Sequence, residues 1–142
     1  MRKGILLALI TLVSICLILF GCSKVPEKDI SKITSVKAID VTKIIFSDGR
    51  GRNKPFALED KQKIHEFMGL LDGYIIKQEN NHQPSAGWIH MADFYNGNEK
   101  LMRITFTNPL EIDGVYYNIV KGQLSTETLD KFISSANSSW KG

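Results

Sequence analysis

The apolar positions of this chain fall into one unbroken block followed by a series of short periodic runs. Residues 4–20 (GILLALITLVSICLILF) contain no charged side chain. After residue 34 the spacing becomes that of strands and helices. Residues 36–46 (VKAIDVTKIIF) are rich in β-branched side chains, which suit a pleated, half-buried surface, and predict a first strand, clearest over 41–46. Residues 47–55 (SDGRGRNKP) are turn formers and predict a loop. Ile64, Phe67, Met68 and Leu71 recur at i, i+3, i+4 and i+7, the apolar stripe of a helix. Glu59 and Asp60 place negative charge at its N-terminus, where the dipole favours it, and Gly73 suits its exit.

Residues 74–77 predict a second strand and 78–87 a polar loop. Residues 88–95 and 99–106 flank Asn96-Gly97, the dipeptide that type I′ hairpin turns prefer because both central residues need positive φ. Asn108-Pro109 breaks the chain, and Asp113-Gly114 introduces a strand over 115–120 (VYYNIV). The last helix has Ser125 as its cap, Glu127 in its first turn and Leu124 placed to pack on Leu129. Leu129, Phe132, Ile133 and Ala136 form its apolar face. The order β-α-β-β-β-β-α predicts an α+β fold, an antiparallel sheet of four to five strands with two helices packed on one face.

The hairpin register decides which face of that sheet is free. A two-residue Asn96-Gly97 turn pairs Asp93 with Lys100, Met91 with Met102 and Ile89 with Ile104. The opposite face then carries Trp88, His90 and Phe94 beside Arg103, a candidate binding surface. A three-residue turn with a bulge shifts the parity, sending Trp88, Ala92 and Phe94 into the core with Met102, Ile104 and Phe106. Both registers remain open at the level of sequence.

The apolar block changes the picture from fold to address. Met1-Arg2-Lys3, then 17 uncharged residues, then the small Gly21 and a polar Ser23-Lys24 have the layout of an export signal, which lies outside the folded domain. The cations hold the N-terminus in the cytoplasm, so the rest of the chain lies outside. Residues 19–22 (LFGC) resemble the lipobox of bacterial prolipoproteins, with Leu19 at −3, Gly21 at −1 and Cys22 at +1; Phe20 stands at −2, where a smaller residue is usual. The resemblance implies cleavage between Gly21 and Cys22 and diacylglycerol on the Cys22 sulfur. Two acyl chains at roughly 0.8 kcal/mol per buried methylene hold a protein stably on a bilayer, where one does not. An uncleaved signal anchor is the alternative and places the domain on the same side. The organisation is then a signal peptide over 1–21, a lipidated cysteine and polar tether over 22–33, and one domain over 34–142. With its strand, DG turn, helix ending LLDG and DFYNG hairpin, the chain is similar in style to the small lipoproteins of Gram-positive bacteria.

Charge and cysteine content narrow the chemistry further. Taking Arg2 and Lys3 from 18 basic residues leaves 16 against 15 acidic ones, so no overall charge argues for a nucleic-acid partner. Cys16 lies in the apolar block and Cys22 carries the lipid, leaving no disulfide and no cysteine metal ligand in the domain. His65, His82 and His90 lack the paired spacing of a ligand set, so no metal site is expected. Arg50, Arg52 and Lys54 put three cations in one glycine-containing loop, a candidate site for an anion such as a lipid headgroup or wall polymer, with a solvated turn as the alternative. There is no Gly-x-Ser-x-Gly, and nothing in sequence brings Asp93, Glu111 or Asp113 together across a cleft. The expected function is a non-enzymatic binding, sensing or regulatory module at the cell envelope, without a cofactor. Its partners are membrane lipid through Cys22 and an envelope protein or wall polymer. A small envelope enzyme acting on wall or lipid material is the alternative.

Overall fold

The segments rich in β-branched and aromatic residues over 43–48, 75–78, 90–96, 99–105 and 115–121 enter a single sheet, and so do three short segments that look like loops. Residues 38–40, expected in the first strand, form a 3-10 turn instead. The computed structural model describes residues 25–34, 36–82 and 87–142; Gly21, Cys22 and the rest of the export segment lie outside the described residues. The elements are β1 (Lys28–Asp29), α1 (Ile30–Thr34), a 3-10 turn (Ala38–Asp40), β2 (Lys43–Asp48), β3 (Phe56–Leu58) and α2 (Lys61–Leu71). They continue as β4 (Ile75–Gln78), β5 (His90–Asn96), β6 (Glu99–Thr105), β7 (Leu110–Ile112), β8 (Val115–Lys121) and α3 (Thr126–Ala136).

The expected four to five strands and two helices are therefore a wrong count: among the described residues one antiparallel sheet holds eight strands, in the order β1-β4-β8-β7-β6-β5-β2-β3, with three α-helices. The extra strands β1, β3 and β7 are two or three residues long, too short for an alternating pattern to show. β7 lies between Pro109 and the Asp113-Gly114 turn, yet its buried Leu110 and Ile112 bracket Glu111 as a half-buried strand requires. Over residues 28–33, β1 and α1 also correct the reading of this stretch as a polar tether. Ile30 is buried and its N–H donates to the Tyr74 carbonyl, so the folded unit begins by Lys28.

The hairpin of β5 and β6 follows neither expected register in detail. Asn96 pairs Glu99 across Gly97-Asn98, and an irregularity between Phe94 and Tyr95 leaves Leu101 as the extra residue. Positive φ occurs at Gly97 alone (56°), the first central position, which is the requirement of a type II′ turn. The type I′ pattern is found instead at Asp113 (φ 49°) and Gly114 (φ 82°), between β7 and β8. Beyond the bulge Phe94 pairs Met102 and Ala92 pairs Ile104, and all four are buried.

One face of the sheet is thus continuous and apolar, running across the pairs Phe46–Ala92, Ala92–Ile104 and Ile104–Ile112. Asp60 and Ser125 cap α2 and α3 by accepting the N–H groups of Lys63 and Thr128. The stripes of the two helices meet over Phe46: Phe67 stands edge-on to it at 4.9 Å, and Phe132 lies 5.0 Å from Phe67. α2 carries the chain from β3 at one edge to β4 near the other. Gly122 (φ 87°) lets the end of β8 press on the turn after α2, where a Cβ would meet the Gly73 carbonyl at 1.8 Å.

Candidate functional site

Where β2 and β5 begin to diverge, the apolar face ends in a cluster of ionisable side chains. Asp48 and His90 face each other in the register of β2 and β5, in phase with Phe46 and Ala92. Asp130 reaches them from the inner side of α3, and Arg50 from the loop after β2. The Arg50 guanidinium grips Asp130 through two bonds of 2.8 Å and also donates from Nε to Asp48 at 2.7 Å. The indole N–H of Trp140 donates to Asp130 Oδ1 at 2.9 Å. Asn53 donates to the second Asp48 oxygen and exchanges two bonds with the Lys141 backbone, which seats the chain after α3 on the loop.

The cluster's protonation follows from these contacts. Arg50 holds the Asp130 carboxyl far below the ordinary carboxylate range, and Trp140 and His90 add to this against the opposing effect of burial. Burial pushes the Asp48 carboxyl up, and donors from Arg50 and Asn53 more than offset it. Arg50 is itself driven upward by Asp130 first and then Asp48. His90 is pushed down by burial, which outweighs the attraction of Asp130, so it is neutral at pH 7. Its Nε2 lies 2.9 Å from Asp130 Oδ1 and 3.4 Å from Arg50. The ionised Asp130 carboxylate can only accept, so at 2.9 Å Nε2 carries the proton and donates it to Asp130.

A pH dependence results. In the unfolded chain His90 takes up a proton below about 6.5 and Asp48 and Asp130 below about 3.9, whereas in the fold each does so only at lower pH. The stability they contribute is complete above about 6.5 and is lost in two stages as the pH falls. Thermal melts at pH 7, 5.5 and 4 are expected to show a falling Tm. His90→Gln, which keeps a donor to Asp130, should flatten the change between pH 7 and 5.5; an unaltered slope in that variant would refute the assignment.

The residues singled out in sequence do not form one surface. Phe94 is fully buried and His90 nearly so, both on the inner face. Trp88 is 36% exposed beside Gly49, and the bulge turns Arg103 to the outer face. There Arg103 makes two bonds with Asp93, at 2.7 and 2.9 Å, and Lys100 completes the pair from across the turn. The candidate face of Trp88, His90, Phe94 and Arg103 is therefore withdrawn: strand alternation and the bulge separate its members. The candidate anion loop loses Arg50 to Asp48 and Asp130. Arg52 donates to the Gly142 carbonyl at 2.9 Å, and Lys54 is exposed. Asp48, Asp130 and Trp140 were not singled out, although the first two sit in phase with buried apolar residues.

A second candidate site lies on the same apolar face, beside Met102 and Ile104 of β6. Residues 30–34 and 36–38 run as a strap beside α2, leaving a cavity of about 310 Å³ between them. Ile30, Val36, Met68, Leu71, Met102 and Ile104 make its apolar walls. Ser31, Thr34, Lys37, His65 and Asp72 form a polar rim. The two methionines give it adaptable lining.

No family model matches this chain, and neither a curated protein nor a solved structure matches it. Among the described residues no three His, Cys, Asp or Glu side chains are grouped to hold a metal ion, and no helix is long and apolar enough to cross a membrane.

Proposed function

We propose that the chain is a lipid-anchored extracytoplasmic binding module. Acyl chains on Cys22 hold it at the envelope, and the strap cavity takes a small apolar or amphiphilic ligand for a sensing or regulatory role. The chemistry of the cavity carries this reading. Apolar walls with a few polar groups at the mouth, at about 310 Å³, match the lower end of small-molecule sites. The ionisable groups held in fixed geometry, Asp48, Arg50, His90 and Asp130, sit in the other cluster and are engaged with one another. The LFGC motif supports the anchor.

Gly69 supplies the test. It lines the cavity from α2, and nothing lies within 4 Å of where its Cβ would be. Gly69→Leu should fill the cavity while improving helix propensity by up to about 1 kcal/mol. The probe 1-anilinonaphthalene-8-sulfonate is expected to bind the folded chain saturably at one site. Its affinity should fall at least about tenfold, a loss of roughly 1.4 kcal/mol, in Gly69→Leu with Tm maintained or raised. Equal affinity in the two proteins would remove the cavity from consideration.

A further inference from the structure

We infer that the corner of the domain formed by β1 and α1 is a membrane-contact surface, with Lys28 and Lys32 facing the phosphates of an anionic bilayer. The inference rests on lipidation of Cys22 and concerns how that anchor orients the fold. Pairing of Lys28 and Asp29 with β4 fixes the chain at the edge of the sheet. Val25 and Pro26 already line a groove there with Ile33, Ile76 and Tyr117. Only Ser23 and Lys24 lie between Cys22 and Val25. The three residue steps span at most about 11 Å when fully extended, so this corner cannot leave the headgroup region. The far edge at β3 lies seven strand spacings away, roughly 33 Å across a flat sheet.

Charge on the corner suits that position. Lys28 and Lys32 line the same groove as Val25 and are exposed. Of the acidic groups beside them, Asp29 is turned back onto Ser31, accepting from its N–H at 2.9 Å and its hydroxyl at 2.6 Å, and Glu27 is exposed. A lysine near an anionic leaflet is attracted to it, and Glu27 offsets part of what Lys28 and Lys32 provide.

The test uses full-length protein purified with its lipid, in which Cys22 is acylated and Cys16 has left with the signal, so an added cysteine is the only free thiol. Glu27→Cys and Lys54→Cys are labelled with a fluorophore in vesicles of phosphatidylcholine and phosphatidylglycerol carrying a headgroup quencher. Quenching several-fold stronger at position 27 than at position 54 is expected. Lys28→Glu with Lys32→Glu should weaken it on phosphatidylglycerol vesicles and not on pure phosphatidylcholine. Equal quenching at the two positions in vesicle-bound protein overturns the orientation alone. Protein that does not float with the vesicles overturns the lipid anchor, and the orientation with it.

Discussion

Arg50→Ala is expected to cost the domain about 3 kcal/mol or more, because it strands two carboxylates in a largely buried site. The Asp48 side chain is inaccessible and that of Asp130 only 10% exposed, and Arg50 is the guanidinium that bridges them. In the variant each carboxylate keeps only uncharged donors, Asn53 and a backbone N–H for Asp48, Trp140 and His90 for Asp130. The like charges are then left facing one another in a medium that screens poorly. Urea unfolding monitored by far-UV circular dichroism measures the loss. Arg50→Lys should recover only part of it, since an ammonium cannot form the paired bonds to Asp130 and also reach Asp48. A loss under about 1 kcal/mol for Arg50→Ala would mean that the cluster is solvated rather than load-carrying. Acid should also narrow the gap between wild type and variant, because protonating either carboxylate removes the repulsion that Arg50 relieves.

Phe67→Ala is expected to be as damaging for the opposite reason, the loss of apolar contact. Phe67 is fully buried on α2 and its ring meets Phe46, Phe94, Phe106 and Phe132, thereby joining both long helices to β2 and β5. Truncation of a core phenylalanine costs about 3–5 kcal/mol, a large share of the 5–15 kcal/mol by which domains of this size are stable. Phe67→Leu, which refills most of the volume, should lose clearly less. Equal losses for the two variants would show that no single packed centre exists there. The domain has no disulfide in reserve, since neither cysteine lies among residues 25–142, so this core must hold without a covalent link.

The long periodic segments were legible in sequence. The stripe of Ile64, Phe67, Met68 and Leu71 became α2, and the face of Leu129, Phe132 and Ile133 became α3, each begun by its own cap. What escaped has two physical causes. A strand of two or three residues carries no measurable period, so β1, β3 and β7 look like linkers, and only pairing with a neighbour makes them strands. Parity in β6 depends on one extra residue at Leu101, which a turn dipeptide alone does not specify. The polar cluster did leave a trace. Asp48 continues the alternation of Ile44 and Phe46, His90 that of Ala92 and Phe94, and Asp130 lies three residues before the buried Ile133. Three polar side chains in apolar phase signal a mutually bonded interior group; that they bond one another through Arg50 is tertiary information. The strap cavity had no counterpart in sequence, because its walls come from α1, α2 and β6 and its volume is set by how they pack.

The sheet's outermost strands bear on how these molecules behave as a crowd. A lipid anchor confines copies to two dimensions and raises the rate at which sheet margins collide, conditions that favour stacking of one sheet onto the next. Here the margins are β1, with two residues, and β3, with three, bounded by Pro26 and Pro55. Neither offers a row of open backbone groups long enough to template a ninth strand. The abbreviated borders that hid from the periodicity of the sequence therefore guard crowded copies, such as those at the membrane surface proposed for them, against turning into a lattice of joined sheets.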